Sequence, residues 1–200
     1  MATTGKRIAK KAAKAARKRV GDKKCYVLMV SRTFPTTHRT KSGKPTYFVE
    51  GIHRANGGYS MADYLGLEEK GSCVTKLHTI RLNYELWKKR FEEINAGTAY
   101  LSLRYWEGKP YKSKQKEFLQ LNNTDGIGVQ KISFPLGVFI DDYDSDVSIK
   151  DIAQNDGLSW EDFKEWFGEI PYGSEYVIIH FTKFRYEKEN QTTNAPAGSH

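Results

Sequence analysis

The residues best suited to chemistry lie in two short segments that are far apart along the chain. Lys76, Thr79 and Arg81 fall within six residues of one another, and Asp156 comes much later. If the first segment is a strand end, Thr79 and Arg81 share a face, and Lys76 reaches it from the preceding turn. A cation, a hydroxyl and a guanidinium placed in this way suit a phosphate or a polarised carbonyl. The same spacing also fits a surface strand whose basic groups are solvated. Taken alone, the spacing slightly favours the surface strand over a binding site.

Short strands and helices are predicted around these segments from hydrophobic periodicity, capping residues and turn residues. The predicted strands are Cys25–Val30, Ala99–Trp106, Lys114–Leu121, Gly126–Phe134, Leu136–Ile140 and Tyr176–Phe181, and the predicted helices run from Pro45 through Arg54, after Asn83, after Ser148 and after Ser159. Strands with helices at the crossings predict an α+β fold built on a small mixed β-barrel with flanking helices.

The helix after Asn83 has the clearest pattern. Asn83 is a good N-cap, and Gly97 lies where the helix should end. We expect its apolar residues to face inward, and these are Leu86, Trp87, Phe91 and Ile94.

Charge divides the chain into a basic arm and a nearly neutral body. Residues 1–24 carry ten Lys and Arg and one acid, a net charge of +9, so that the remaining residues have a net charge of −1. Such blocks are usually interaction arms, disordered when free and helical on an anionic partner. We therefore predict a flexible arm over 1–24, one domain over 25–188 with an inserted loop at 56–72, and a flexible tail over 189–200. The predicted nucleic-acid contacts of the arm are Lys10, Lys11, Lys14, Arg17, Lys18 and Arg19.

A second basic segment interleaves cations with aromatic residues around a predicted turn. Base stacking and neutralisation of phosphates require this combination. The predicted nucleic-acid contacts here are Arg104, Tyr105, Lys109, Tyr111, Lys112 and Lys114, with Arg81 from the first segment. Core packing explains Trp106 about as well as base stacking does.

Composition argues against several classes of protein. The two cysteines, Cys25 and Cys73, form neither a disulfide framework nor a C-x-x-C pair, so we expect a reducing compartment, the cytoplasm. The sequence has no apolar run of membrane-spanning length and no secretory signal. The five histidines show no metal-binding spacing, and we predict neither a metal nor a cofactor.

The order of the short motifs resembles that of the ASCH domain, a branch of the PUA-like superfamily. The resemblance runs over about Cys25 to Tyr186. It consists of Lys-x-x-Thr-x-Arg at 76–81, then a strand hairpin, then Asp-Gly-x-Ser-x-x-x-Phe at 156–163 before the last apolar strand. The helix at 84–87 and the segments at 101–104 and 108–111 are similar to a subgroup with many phage-encoded members, which would place the protein in the host cytoplasm.

The resemblance implies a PUA-like β-barrel with a cleft that faces RNA. Some small bacterial members are similar to acetylcytidine amidohydrolases, whose active constellation is Lys, Thr and Glu. Lys76 and Thr79 match the first two at the same spacing, and Asp156, one methylene shorter, stands at the third. In that interpretation Thr79 attacks an amide carbonyl, Lys76 carries the proton, and Asp156 orients Lys76 or the substrate amine.

Three functions stay open on the sequence. The first is a module that binds RNA, another nucleic acid or a modified nucleoside. The second is a small amidohydrolase acting on N-acylated cytidine through Lys76, Thr79 and Asp156. The third is a structural or packaging protein whose arm contacts nucleic acid. The sequence does not separate RNA from DNA, and it leaves the oligomeric state open.

Overall fold

The structure is a computed structural model, and it describes residues 23–58, 74–134, 137–168 and 175–187. The predicted tail, nearly all of the predicted arm and most of the predicted insert lie outside these residues. Lys24, which we assigned to the arm, instead begins the first strand and forms an ion pair with Glu93, at 2.9 Å between Nζ and Oε1.

Helices are interspersed among the strands of the described chain. In chain order they are β1 (Lys24–Met29), α1 (Phe48–Ala55), β2 (His78–Leu82), α2 (Tyr84–Asn95), β3 (Ala99–Trp106), β4 (Gln115–Leu121), β5 (Gly128–Ser133), β6 (Phe139–Ile140), β7 (Tyr143–Asp144), α3 (Ile149–Asn155), α4 (Trp160–Phe167) and β8 (Tyr176–His180). No helix within these four ranges is both long enough and apolar enough to span a bilayer.

The strands form two sheets. One has the order β1-β3-β4, with β1 parallel to β3, and the other has the order β2-β8-β5-β6-β7 with antiparallel pairs. The α+β prediction is therefore confirmed. The finer prediction of a PUA-like barrel stays a prediction.

Side-chain periodicity explains how the elements pack. In β3, Leu101, Leu103 and Tyr105 are buried, whereas Arg104 and Trp106 on the alternate face are half-buried. This is the period of two that a strand with one core face requires.

Helix α2 begins as predicted, with the Asn83 side chain accepting a hydrogen bond from the Leu86 amide at 3.1 Å. Trp87, Phe91 and Ile94 are buried on one stripe, spaced four and three residues apart. The prediction for Leu86 was wrong, because this residue lies one position off that stripe and its side chain is 41% exposed.

Helix α1 begins at Phe48, three residues after the predicted start, because Tyr47 takes a left-handed conformation with φ 56°. The helix comes very close to the segment that leads into β2. The Lys76 amide donates to the Gly51 carbonyl at 3.1 Å, and a Cβ on Gly51 would lie 2.5 Å from the Val74 carbonyl oxygen. Only glycine permits this approach without a shift.

The end of α3 holds the same segment from the other side. The Leu77 amide donates to the Asn155 carbonyl at 2.8 Å, and the Phe181 amide donates to the Leu77 carbonyl at 2.9 Å. The predicted Ser148 cap of α3 is present, since its side chain accepts from the Asp151 amide. Helices α1 and α3 and the end of β8 thus fix the backbone from which Lys76 and Thr79 extend.

Candidate functional site

A cavity of about 250 Å³ opens between the two sheets and the helices α1 and α4. Its lining combines polar with aromatic and apolar side chains, among them Lys76, Thr79, Arg81, Asp156, Phe48, Trp106, Pro110 and Trp166. The structure therefore brings together the four residues that we singled out from two distant segments of the sequence.

Lys76 is the most enclosed cation of the cavity, with 2% of its surface exposed. Its Nζ donates to Asp156 Oδ1 at 2.7 Å and also to the backbone carbonyl of Asp156. The same Nζ lies 4.1 Å from the centroid of the Phe48 ring. Two hydrogen bonds and one cation–π contact thus surround the ammonium group.

Asp156 follows α3 as its C-terminal cap and is 3% exposed. The family resemblance places a longer glutamate at this position, yet the aspartate reaches Lys76. It does so because the end of α3 is bonded directly to the backbone beside Lys76 through the Asn155 carbonyl.

Burial shifts the pKa values of this ion pair toward each other. Desolvation lowers the pKa of Lys76 to about 8, although Asp156 opposes the shift. Desolvation also raises the pKa of Asp156, against the influence of Lys76, Arg81 and Thr79. Removing charges from water disfavours both ionised forms, and the mutual attraction of the pair returns only part of that cost.

Thr79 and Arg81 point to the same face of β2, as the strand periodicity predicts. Arg81 Nη1 donates to Thr79 Oγ1 at 2.7 Å and to the Ile80 carbonyl at 2.8 Å. Arg81 Nη2 donates to the Met29 carbonyl of β1 at 3.1 Å. Arg81 therefore joins the edges of the two sheets and orients the Thr79 hydroxyl, so it has a structural role that its spacing did not indicate.

The basic turn between β3 and β4 forms part of the rim of the cavity. Trp106 and Pro110 line the cavity, and the Trp106 and Tyr111 rings are 5.4 Å apart. Tyr111 is 90% exposed and has a left-handed backbone with φ 62°. Lys109, Lys112 and Lys114 are exposed on the same turn. We call residues 107–114 the basic hairpin tip.

Two other predicted contacts in this region have protein partners of their own. Tyr105 is 9% exposed, with Arg32 above its ring at 4.9 Å and Phe118 beside it, so its face is not open to a base. Arg104 Nε donates to Ser102 Oγ at 2.8 Å, and its Nη2 lies 3.6 Å from Glu117 Oε2. Because successive residues of a strand face opposite sides, Tyr105 lies in the core and Trp106 lines the cavity. We predicted Tyr105, and not Trp106, as a nucleic-acid contact.

The six arm residues predicted to contact nucleic acid, Lys10, Lys11, Lys14, Arg17, Lys18 and Arg19, lie outside the described residues. Within the described ranges, no group of three His, Cys, Asp or Glu side chains has the geometry to hold a metal ion. No protein-family model matches the chain, and searches of curated proteins and of solved structures found no match either.

Proposed function

We propose that this protein binds nucleic acid and accommodates a single base or nucleoside, for example a modified one, in the cavity. The observation that carries the proposal is that the cavity and the basic hairpin tip share residues. Trp106 and Pro110 line the cavity, and Pro110 lies within the basic hairpin tip whose lysines face solvent. A chain whose phosphates lie along the tip would have one base beside the cavity mouth. The ASCH resemblance, and with it a PUA-like barrel, supports the same proposal.

The size and lining of the cavity suit a small planar polar group. Pockets for drug-sized ligands usually measure about 300–1,000 Å³, so a cavity of about 250 Å³ suits something smaller. Trp106 and Trp166 offer aromatic surface for stacking. Thr79 and Arg81 supply polar atoms in the same lining, and the edge of a base needs such hydrogen-bond partners.

The experiment that tests this proposal removes the charge of the basic hairpin tip. We expect the triple substitution Lys109→Gln, Lys112→Gln and Lys114→Gln to weaken binding of a single-stranded RNA. The slope of log affinity against log salt should fall by about two, because each lost phosphate contact removes about 0.7 for single strands. Fluorescence anisotropy of a labelled oligonucleotide at several salt concentrations measures both quantities.

The matched control removes three exposed lysines elsewhere, by Lys88→Gln, Lys89→Gln and Lys150→Gln. Both triple variants have the same net charge and keep the arm. A difference in RNA affinity between the two variants therefore depends on where the charge was removed and not on the total charge. Equal loss of affinity in the two variants would show that the hairpin tip is not the binding surface.

A second candidate function is hydrolysis of an N-acylated cytidine. The observation that favours it is the lowered pKa of Lys76, about 8, in the same cavity as Thr79. A lysine acts as a base only in its neutral form, and burial makes that form accessible near neutral pH. The resemblance to amidohydrolase-like members supports the same assignment.

The chemistry would run in two steps. Thr79 Oγ1 attacks the acyl carbon while Lys76 takes the hydroxyl proton. The bond between that carbon and the exocyclic amine then breaks, and Lys76 returns the proton to the departing cytidine amine. Water afterwards hydrolyses the acyl ester on Thr79 and releases the carboxylic acid. Asp156 holds Lys76 in place throughout.

We expect Thr79→Val to abolish release of cytidine from N4-acetylcytidine, because loss of a nucleophile costs orders of magnitude in rate. Chromatography of the products over time measures the rate. Thr98→Val is the matched control, since Thr98 is exposed and its hydroxyl donates to the Glu93 carbonyl, away from the cavity. Product formation at the rate of the buffer blank by the wild-type protein would reject the hydrolase and leave the binding function.

A further inference from the structure

A buried polar network lies behind Asp156, on the face of β2 that points away from the cavity. His78 Nε2 lies 2.8 Å from the Tyr186 hydroxyl oxygen, and Asn155 Nδ2 donates to the same oxygen at 3.0 Å. His78 is fully buried, and Tyr186 is nearly so. The network connects β2, the end of α3 and the segment after β8.

This network indicates which nitrogen of His78 carries the proton. The amide of Asn155 donates to the Tyr186 oxygen, so the hydroxyl hydrogen of Tyr186 needs an acceptor of its own. In the described part of the chain, His78 Nε2 is the acceptor within bonding distance. Burial lowers the pKa of His78 well below its ordinary range, so the ring is neutral. A neutral imidazole that accepts at Nε2 carries its hydrogen on Nδ1.

The Nδ1–H group faces the ion pair of the cavity. His78 Nδ1 lies 3.8 Å from Asp156 Oδ1, the same oxygen that accepts from Lys76, and has no hydrogen-bond partner among the described residues. We propose that His78 is a positioning residue whose Nδ1–H stabilises the Asp156 carboxylate from behind, and bonds to it when Lys76 turns toward a ligand.

The proposal has a definite electrostatic consequence. The titratable and charged groups around His78 are Lys76, Asp156, His180 and Tyr186, with Arg81 beyond Asp156. His180 stays neutral, because burial lowers its pKa to about 3. The N–H dipole of His78 therefore favours the ionised carboxylate and disfavours the ammonium of Lys76. If the pair loses a proton, Lys76 loses it, which leaves an amine free to interact with a ligand.

This inference rests on the proposed function of the cavity, but its test does not need a ligand. The ring ¹⁵N spectrum of His78 in the full-length wild-type protein is expected to show the Nδ1–H tautomer. The ¹³Cε resonance of Lys76 reports its titration. His78→Asn places an amide donor near the position of Nδ1, whereas His78→Gln retains a polar group near Nε2 and removes the donor that faces Asp156.

The two substitutions give opposite results for the two possible roles of His78. A positioning role predicts that Lys76 titrates near the wild-type pH in His78→Asn and at higher pH in His78→Gln. In His78→Gln the Asp156 carboxylate loses one stabilising donor and therefore depends more strongly on the Lys76 ammonium. A purely structural link to Tyr186 predicts that His78→Gln is the more native of the two variants. Urea unfolding of both variants checks that they fold.

Two results would overturn the proposal: an Nε2–H tautomer in the wild-type protein, or an unchanged Lys76 titration in folded His78→Gln. The tautomer is measured without any variant, so a variant that fails to fold leaves the proposal testable. Failure of cytidine to bind, together with the expected tautomer and titrations, would instead reject the proposed function and keep the positioning role.

Discussion

Replacing Lys76 with methionine is expected to lower the free energy of unfolding by about 3–5 kcal/mol, the range for removing one partner of a buried ion pair. Methionine fills much of the space of the lysine stem, so the packing against Phe48 and Gly157 is largely kept. The Asp156 carboxylate loses its nearest cation and stays buried. The loss therefore comes chiefly from an uncompensated charge.

The effect should depend on pH in a defined direction. Burial already raises the pKa of Asp156 above its unfolded value, and removing Lys76 raises it further. A carboxyl with a raised pKa in the folded state binds its proton more tightly there than in the unfolded chain. The stability of the variant is therefore highest below the unfolded pKa of aspartate, about 3.9, and falls as pH rises toward the folded pKa. The gap between wild type and Lys76→Met should widen from pH 5 to pH 8.

Urea unfolding at several pH values measures the difference in stability between wild type and Lys76→Met. Two further variants identify its cause. The double variant Lys76→Met with Asp156→Asn should recover part of the stability, because no unpaired charge remains. Lys131→Met is the control for loss of a surface ion pair, since its partners Asp142 and Glu175 are largely exposed. It should cost about 1 kcal/mol or less. A loss as small as this for Lys76→Met, with no dependence on pH, would contradict the buried pair.

Local features of the fold were predictable because their causes are local. Asn83, Ser148 and Ser159 each accept a hydrogen bond from an amide three residues ahead, and this capping pattern is visible in the sequence. The alternation of Ala99–Trp106 likewise predicted a strand with the observed bounds. The start of α1 was missed because the left-handed turn at Tyr47 comes from a residue type that seldom adopts it.

The site was predictable only in part. Thr79 and Arg81 share a face because a strand alternates, which the sequence shows. The contact of Asp156 with Lys76 depends on the end of α3 docking beside β2, and no local pattern encodes that. The resemblance to ASCH domains named the same residues, but it supplied no geometry. The role of Trp106 depends on which face of β3 meets the cavity, so tertiary packing decides it.

The contacts of His78 also depend on tertiary packing and could not be predicted from the sequence. Strand alternation puts His78 on the face of β2 opposite Thr79, where its side chain is fully buried. Its hydrogen bond to Tyr186 joins residues that are far apart in sequence. A histidine in a strand is usually a packed core residue, and only the position of Nδ1 relative to Asp156 suggests more.

Removal of the basic arm is expected to have the largest effect on nucleic-acid binding. Residues 1–22 contain eight Lys and Arg and a single acid, Asp22. Contacts with six to ten phosphates change affinity about 10³–10⁵-fold between 50 and 200 mM salt. A chain that begins at Lys23 should therefore bind single-stranded RNA orders of magnitude more weakly at 50 mM salt, with a much flatter salt dependence. Anisotropy titrations of the full and shortened chains measure both quantities.

A chain with the residues of the arm in shuffled order is the matched control, because it keeps the charge and composition but changes the pattern. Counterion release depends on charge and not on order, so the shuffled arm should restore the affinity and the slope. Equal salt slopes for the full and shortened chains would show that the arm does not contact phosphates. The affinity that remains without the arm also separates two functions. Residual binding that is lost on substitution of Lys109, Lys112 and Lys114 places recognition at the cavity rim, whereas no residual binding favours a packaging protein that contacts nucleic acid through its arm alone.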